Sequence, residues 1–151
     1  KFVEALLKGN LKEMNIYMND VALSTFSSFD TGTHPSRRSQ PERFFHGFVL
    51  GLISDLRDIY EIKSNRESGY GRYDIMLIPA DIHDKTHDGI VLEFKVHDAD
   101  GEATLADTAQ AALRQIEGKN YDAELINRGI PKSRIQHYGF AFEGKKVLIA
   151  Q

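Results

Sequence analysis

With 151 residues, the chain suits one domain that buries about two thirds of its unfolded surface. Its 19 Lys and Arg stand against 22 Asp and Glu, a net charge of −3, which excludes a bulk polyanion binder and leaves any phosphate contact to a local basic patch. Cysteine is absent, which excludes disulfides, thiol nucleophiles and thiolate zinc sites and fits a reducing cytoplasm, and no run approaches the roughly 18 to 20 apolar residues of a membrane span.

From Lys1 to Phe29 apolar residues recur at helical spacing, and Gly9-Asn10 divides the stretch into two helices. These helices are read as packing on the main domain or as a connector to an upstream region. A start in mid-helix pattern without an initiator Met makes the chain the expected piece of something longer. Residues 30–41, "DTGTHPSRRSQP", have no apolar period and read as a loop, with Pro41 suited to the first turn of a helix over about 42–58. "YEIKSNRES" reads as a strand, "GRYDIMLIP" as the next, and "IVLEFKV" as a third, joined to the second by the polar loop "DIHDKTHDG" in an antiparallel hairpin. His83 and His87 of that loop are spaced i, i+4, but such a pair converges on zinc only in a helix, and this stretch reads as a hairpin loop. A helix follows from about Thr104, and the chain ends in two strands around Glu143-Gly144. Helix, three strands, helix, two strands predicts an α/β sandwich with a mixed sheet.

Two anomalies point to chemistry. Asp74 interrupts the apolar run Tyr73 to Ile78, and carboxylates are seldom buried without a partner or a cation. On the next strand Glu93 and Lys95, two residues apart, share one face, while Leu92, Phe94 and Val96 take the other. A strand with one wet face would carry the same pattern. Neighbouring strands, however, would bring Asp74 and Glu93 together, and two like charges that close are tolerated when a cation lies between them. Mg²⁺ is the natural candidate because it takes oxygen ligands and keeps several waters; the backbone carbonyl of Phe94 offers one more oxygen, and Lys95 would point at a metal-bound water or a substrate phosphate.

Asp74, followed by Glu93-x-Lys95 on the next strand with helices before and after, resembles the PD-(D/E)XK nuclease superfamily. "YEIKSNRESGYGRYDIMLIP", "IVLEFKV" and "YGFAFEGKKVLIA" are similar to the nuclease-like domain found C-terminal to an AAA-ATPase-like domain in bacterial proteins. The resemblance implies a restriction-endonuclease-like α-β-β-β-α-β core with a central mixed sheet flanked by helices, plus N-terminal helices. It divides the chain into a helical connector over 1–29, a loop over 30–41 and the nuclease-like domain over 42–151. It makes Asp74 and Glu93 metal ligands and Lys95 the catalytic lysine of a Mg²⁺-dependent nuclease, with Mn²⁺ able to substitute. Glu42 matches a further acidic ligand in some members, and His46, four residues on, matches a histidine of the family and would contact substrate or back up the site. Tyr73 stands where the signature has proline.

Gln115 and Lys119 lie four residues apart on one helix face. Related helicase-linked nucleases have a glutamine followed by a tyrosine four positions on, a slot that Lys119 occupies here. Tyr121, two residues further, would turn roughly 200° away on a continuing helix. Arg72, with Lys63, Arg66, Arg114 and Lys119, would frame a basic rim, and Tyr70 would stack on a base. The implied partners are nucleic acid, with DNA as the expected substrate, and an upstream ATPase-like domain of the same protein, in the cytoplasm; a homodimer is allowed. The alternative is a catalytically silent nuclease-fold module that binds DNA or a protein partner.

Overall fold

The computed structural model describes residues 1–25, 35–69 and 71–151, and gives the backbone alone at residues 25, 35–41, 66–68 and 72. Ten helices and strands follow in chain order among the described residues: α1 (Phe2–Lys8), α2 (Leu11–Thr25), α3 (Pro35–Ile53), β1 (Tyr60–Ser68), β2 (Gly71–Pro79), β3 (Gly89–Val96), α4 (Leu105–Gly118), α5 (Ala123–Asn127), β4 (Ile135–Glu143) and β5 (Lys146–Ala150). The strands form one sheet in the order β1-β2-β3-β4-β5. Its β3–β4 pair is parallel and the others antiparallel, so the sheet is mixed as expected. The parallel pair needs a crossover, and α4 supplies it. No helix among the described residues is long and apolar enough to cross a membrane.

Strand alternation decides what each face of the sheet buries. Ile75, Leu77, Ile90, Leu92, Phe94, Phe140 and Phe142 point to α1, α2 and α3 and meet Phe2, Leu6, Met14, Met18, Phe45 and Val49. Met76, Ile78 and Val91 point the other way, to Ile116 of α4, Tyr121 and Leu125. Glu93 shares the face of Val91 and therefore lies under α4. That helix can approach because β4 carries Gly139 beside Glu93: a Cβ there would stand 2.5 Å from the carbonyl oxygen of Ala109. Thr104 opens α4 with a capping box, its hydroxyl accepting from Asp107 N while Asp107 accepts from Thr104 N.

The N-terminal helices belong to the same core, as Phe2, Leu6, Met14 and Met18 are all buried in it. They also close an edge of the sheet. Asn15 and Asn19, one helical turn apart, each make two hydrogen bonds with the β5 backbone: Ile149 N and Val147 N donate to the side-chain oxygens at 2.8 and 2.9 Å, and the side-chain amides donate to the carbonyls of the same residues at 3.1 and 2.7 Å. Two amides thus stand in for a neighbouring strand.

One expected boundary is corrected. Residues 30–34 of the anticipated loop lie outside the described residues, but 35–41 continue as helix, because α3 starts at Pro35. Pro35 takes the first-turn place assigned to Pro41, and the Ser, Arg and Gln residues after it are compatible with a helix once it is begun. The helix ends at Ile53 and tightens into a 3₁₀ turn over Ser54–Asp58, where the expectation was one helix to about Asp58.

Candidate functional site

The sheet opens where Asp74 stands. The β2–β3 ladder reaches Ile75–Leu92 and goes no further; one more antiparallel step would set Asp74 opposite Glu93. On the other side of β2, Ser64 pairs with Ile75 and Arg66 with Tyr73, so Asn65 faces Asp74, and Asn65 has a left-handed φ of 52°. Asparagine is among the few side chains that take that conformation readily. With both neighbouring ladders interrupted at this point, the carboxylate replaces backbone as the link to β3: Phe94 N donates to Asp74 Oδ2 at 2.7 Å. His46 of α3 lies behind it, its Nε2 3.2 Å from the Asp74 carbonyl oxygen and 2.9 Å from Ser64 Oγ. The histidine therefore ties α3 to β1 and β2 at the root of the site.

Glu93 is only 4 % exposed. Burial, then the hydrogen bond and charge of Asp74, then the charge of Glu42 push its pKa up to about 10, against a smaller lowering by the Tyr121 hydroxyl. Without a cation, Glu93 thus retains its proton, as burial beside a second carboxylate favours. Even so, Glu93 Oε2 is buried with no hydrogen-bond partner. A buried oxygen without a donor is costly, and a hard cation is the ligand that relieves it. Glu42, at the same place, is raised by burial first and by Asp74 second, while Lys95 and Arg43 pull it down. The three predicted acids and the lysine therefore feel one another's charge.

A profile of the PD-(D/E)XK nuclease superfamily matches residues 40–151. The chain belongs to that superfamily. Among curated proteins none matches, and among solved structures none matches either. The matched segment begins in α3 and leaves out α1 and α2, although those helices share its core. Nucleases of this superfamily generally use divalent metals, and the donor set here, all carboxylate oxygen with one buried atom unsatisfied, fits such an ion.

Superfamily motifs locate the acids better than they locate what surrounds them. Lys95 reaches Glu102, its Nζ 2.8 Å from Oε2, an acid that no motif or spacing singles out. Tyr121, set aside on helical geometry, lies at the centre: it is 1 % exposed, its hydroxyl pulls the Glu93 pKa down, and Gln115 Nε2 donates to it at 3.2 Å. The extrapolation failed because α4 stops at Gly118, and Asn120, with φ 52°, turns the chain back over the sheet. Burial raises the Tyr121 pKa, and the charges of Glu93 and Asp74 add to that, while the Gln115 hydrogen bond pulls it down. Lys119, expected in that slot, instead ends α4 and lays its stem near Gly71.

Other expected contacts divide. Tyr70 and the side chains of Arg66 and Arg72 lie outside the described residues. Lys63 pairs with Glu124 at 2.8 Å, which occupies one member of the anticipated basic rim, whereas Arg114 and Lys119 are exposed. The "DIHDKTHDG" loop is fastened by Arg134, whose guanidinium donates to the carbonyls of Ile82, Asp84 and His87. Elsewhere, Glu117, Asp122 and His137 cluster, but His137 already bridges the two carboxylates at 3.3 and 2.7 Å.

Proposed function

We propose that this domain is a divalent-metal-dependent nuclease that hydrolyses phosphodiester bonds, with DNA as its substrate. The observation that carries the reading is the buried, partnerless Glu93 Oε2 beside the Asp74 carboxylate. Asp74 and Glu93 would hold Mg²⁺, or Mn²⁺ in its place. Phe94 N faces Asp74, and a residue in an extended strand sends its N–H and C=O to the same edge, which supports its carbonyl as a third oxygen. Glu42 is a further donor within their electrostatic reach. A bound cation of this kind supplies charge neutralisation at the phosphoryl oxygens and a more acidic water.

The chain's own groups do the rest. Lys95 donates a hydrogen bond to the attacking water and sets fixed positive charge beside the phosphate, where negative charge grows in the transition state. Phe94 N–H keeps the Asp74 carboxylate aimed across the gap, and His46 steadies the Asp74 backbone from behind. Tyr121 and Gln115 form a hydrogen-bonded pair at the edge of the acids, placed to meet the substrate backbone. Arg114 and Lys119 are the exposed cations on and after α4 that would draw it in. An upstream ATPase-like domain and a cytoplasmic setting are supported by the sequence resemblance and by the cysteine-free composition.

The test is cleavage of single- and double-stranded DNA, with RNA in parallel, by purified protein in Mg²⁺ and in Mn²⁺. Cleavage that disappears in Asp74→Asn, Glu93→Gln and Lys95→Ala is the expected result. Intact nucleic acid in every lane would overturn the assignment. Lys95→Ala binding DNA as the unaltered protein does, with no cleavage by either, would favour the silent module instead.

A further inference from the structure

Lysine has a flexible four-carbon stem and cannot by itself hold its ammonium at one point. Lys95 also shares a strand face with Glu93, to which a loose ammonium would be attracted. Something must keep it off the acids if they are to take a cation. Glu102, in the loop between β3 and α4, stands in that role. Its Oε2 accepts from Lys95 Nζ at 2.8 Å, and its Oε1 accepts from Asp98 N at 2.9 Å and from Thr108 Oγ1 at 2.8 Å. Thr108 is fully buried in the first turns of α4 and has one hydroxyl proton, which it gives to Glu102. It must then accept from His97 Nδ1, 2.7 Å away. His97 is anchored in turn: its backbone N donates to Phe142 O at 2.8 Å, and its Nε2 lies 3.5 Å from Glu143.

The carboxylate is thus gripped by β3, by the loop and by α4 together. Burial would raise its pKa, but the hydrogen bonds from Lys95, Asp98 and Thr108 outweigh that and hold it down at about 2. It is a permanent anion aimed at the lysine. We propose that Glu102 is a positioning residue: it draws the Lys95 ammonium away from Asp74 and Glu93, leaving those oxygens free for the metal while fixing the ammonium where the attacking water must bind. This assignment rests on the nuclease reading for its catalytic consequence, though not for its structural one. A loop brace alone would require none of the contact with Lys95.

Glu102→Gln keeps the shape and removes the charge. Thr108→Val removes the donor that orients the carboxylate and touches neither Lys95 nor the acids. In metal-free protein, proton–nitrogen correlation spectra tuned to lysine ammonium groups should contain one slowly exchanging signal that vanishes in Lys95→Met. The proposal expects that signal to be lost in Glu102→Gln and broadened in Thr108→Val. Mn²⁺ affinity should fall about 3- to 10-fold in Glu102→Gln, as the freed lysine competes for the acids. For DNA cleavage kcat should drop roughly 10- to 100-fold with KM within about twofold, the cost of a misplaced catalytic group. A Lys95 signal that persists in Glu102→Gln with Mn²⁺ affinity unchanged overturns the proposal, and so does a kcat within twofold of the unaltered protein. Should the unaltered protein cleave nothing, the nuclease reading falls, and the ammonium signal and Mn²⁺ affinity decide this proposal by themselves.

Discussion

Glu93→Gln should make the metal-free protein more stable while abolishing its response to metal. Glu93 holds a proton in the folded state up to a pH of about 10 and releases it in the unfolded chain near its ordinary value of 4.5. Between those two values the native state binds the extra proton, so stability declines as pH rises through that window. Each pH unit is worth at most about 1.4 kcal/mol, which gives a ceiling on the order of 5 kcal/mol by pH 8. The site can relax around the charge, so we expect about 2 kcal/mol in practice. Glutamine carries no such proton. For a chain of this size the difference amounts to roughly 4–8 °C in Tm at pH 8, shrinking toward zero near pH 4.5. Thermal melts of both proteins at several pH values, in EDTA and in excess Mn²⁺, provide the assay. Mn²⁺ should raise the Tm of the unaltered protein, more at pH 8 than at pH 6, because the metal must displace the proton; it should leave Glu93→Gln unmoved. A Glu93→Gln protein that melts at or below the unaltered one at pH 8 in EDTA would refute the reasoning.

Three further outcomes follow from the geometry. Replacing Asn15 and Asn19 together by leucine removes four hydrogen bonds to β5, should cost about 2–4 kcal/mol in urea titrations, and should create concentration-dependent association on gel filtration as that edge is uncovered. Tyr121→Phe keeps the buried ring but deletes the hydroxyl that lowers the Glu93 pKa; Mn²⁺ binding measured by calorimetry should weaken several-fold at pH 7, with Tm within a few degrees. Gly139→Val drives a side chain into the backbone carbonyl of Ala109, which α4 cannot yield without lifting from the sheet; denaturant unfolding should report a loss of about 2–4 kcal/mol, with cleavage falling alongside it.

The acids were legible because their information is local. Alternation of period two assigns Glu93 and Lys95 to one face, and a hairpin of ordinary length makes the Asp74 strand their neighbour. The order of elements and the mixed sheet followed from apolar periodicity and turn residues in the same way. Less legible was α3, whose start depends on which of two prolines caps the helix. Pro35 and Pro41 each satisfy the local rule, so the local pattern does not choose between them.

Sequence alone determined that Asp74, Glu93 and Lys95 project from adjacent strands, since backbone geometry leaves a strand's side chains only two directions. Tertiary structure alone decided what those three residues meet. Tyr121 returns to Glu93 because α4 ends against the β1–β2 turn, Glu102 reaches Lys95 because a closed loop folds back on its own strand, and Asn15 and Asn19 find β5 from more than a hundred residues away. Such meetings depend on where a helix stops and how closely layers pack. Those are properties of the whole core, and no spacing within a single segment encodes them.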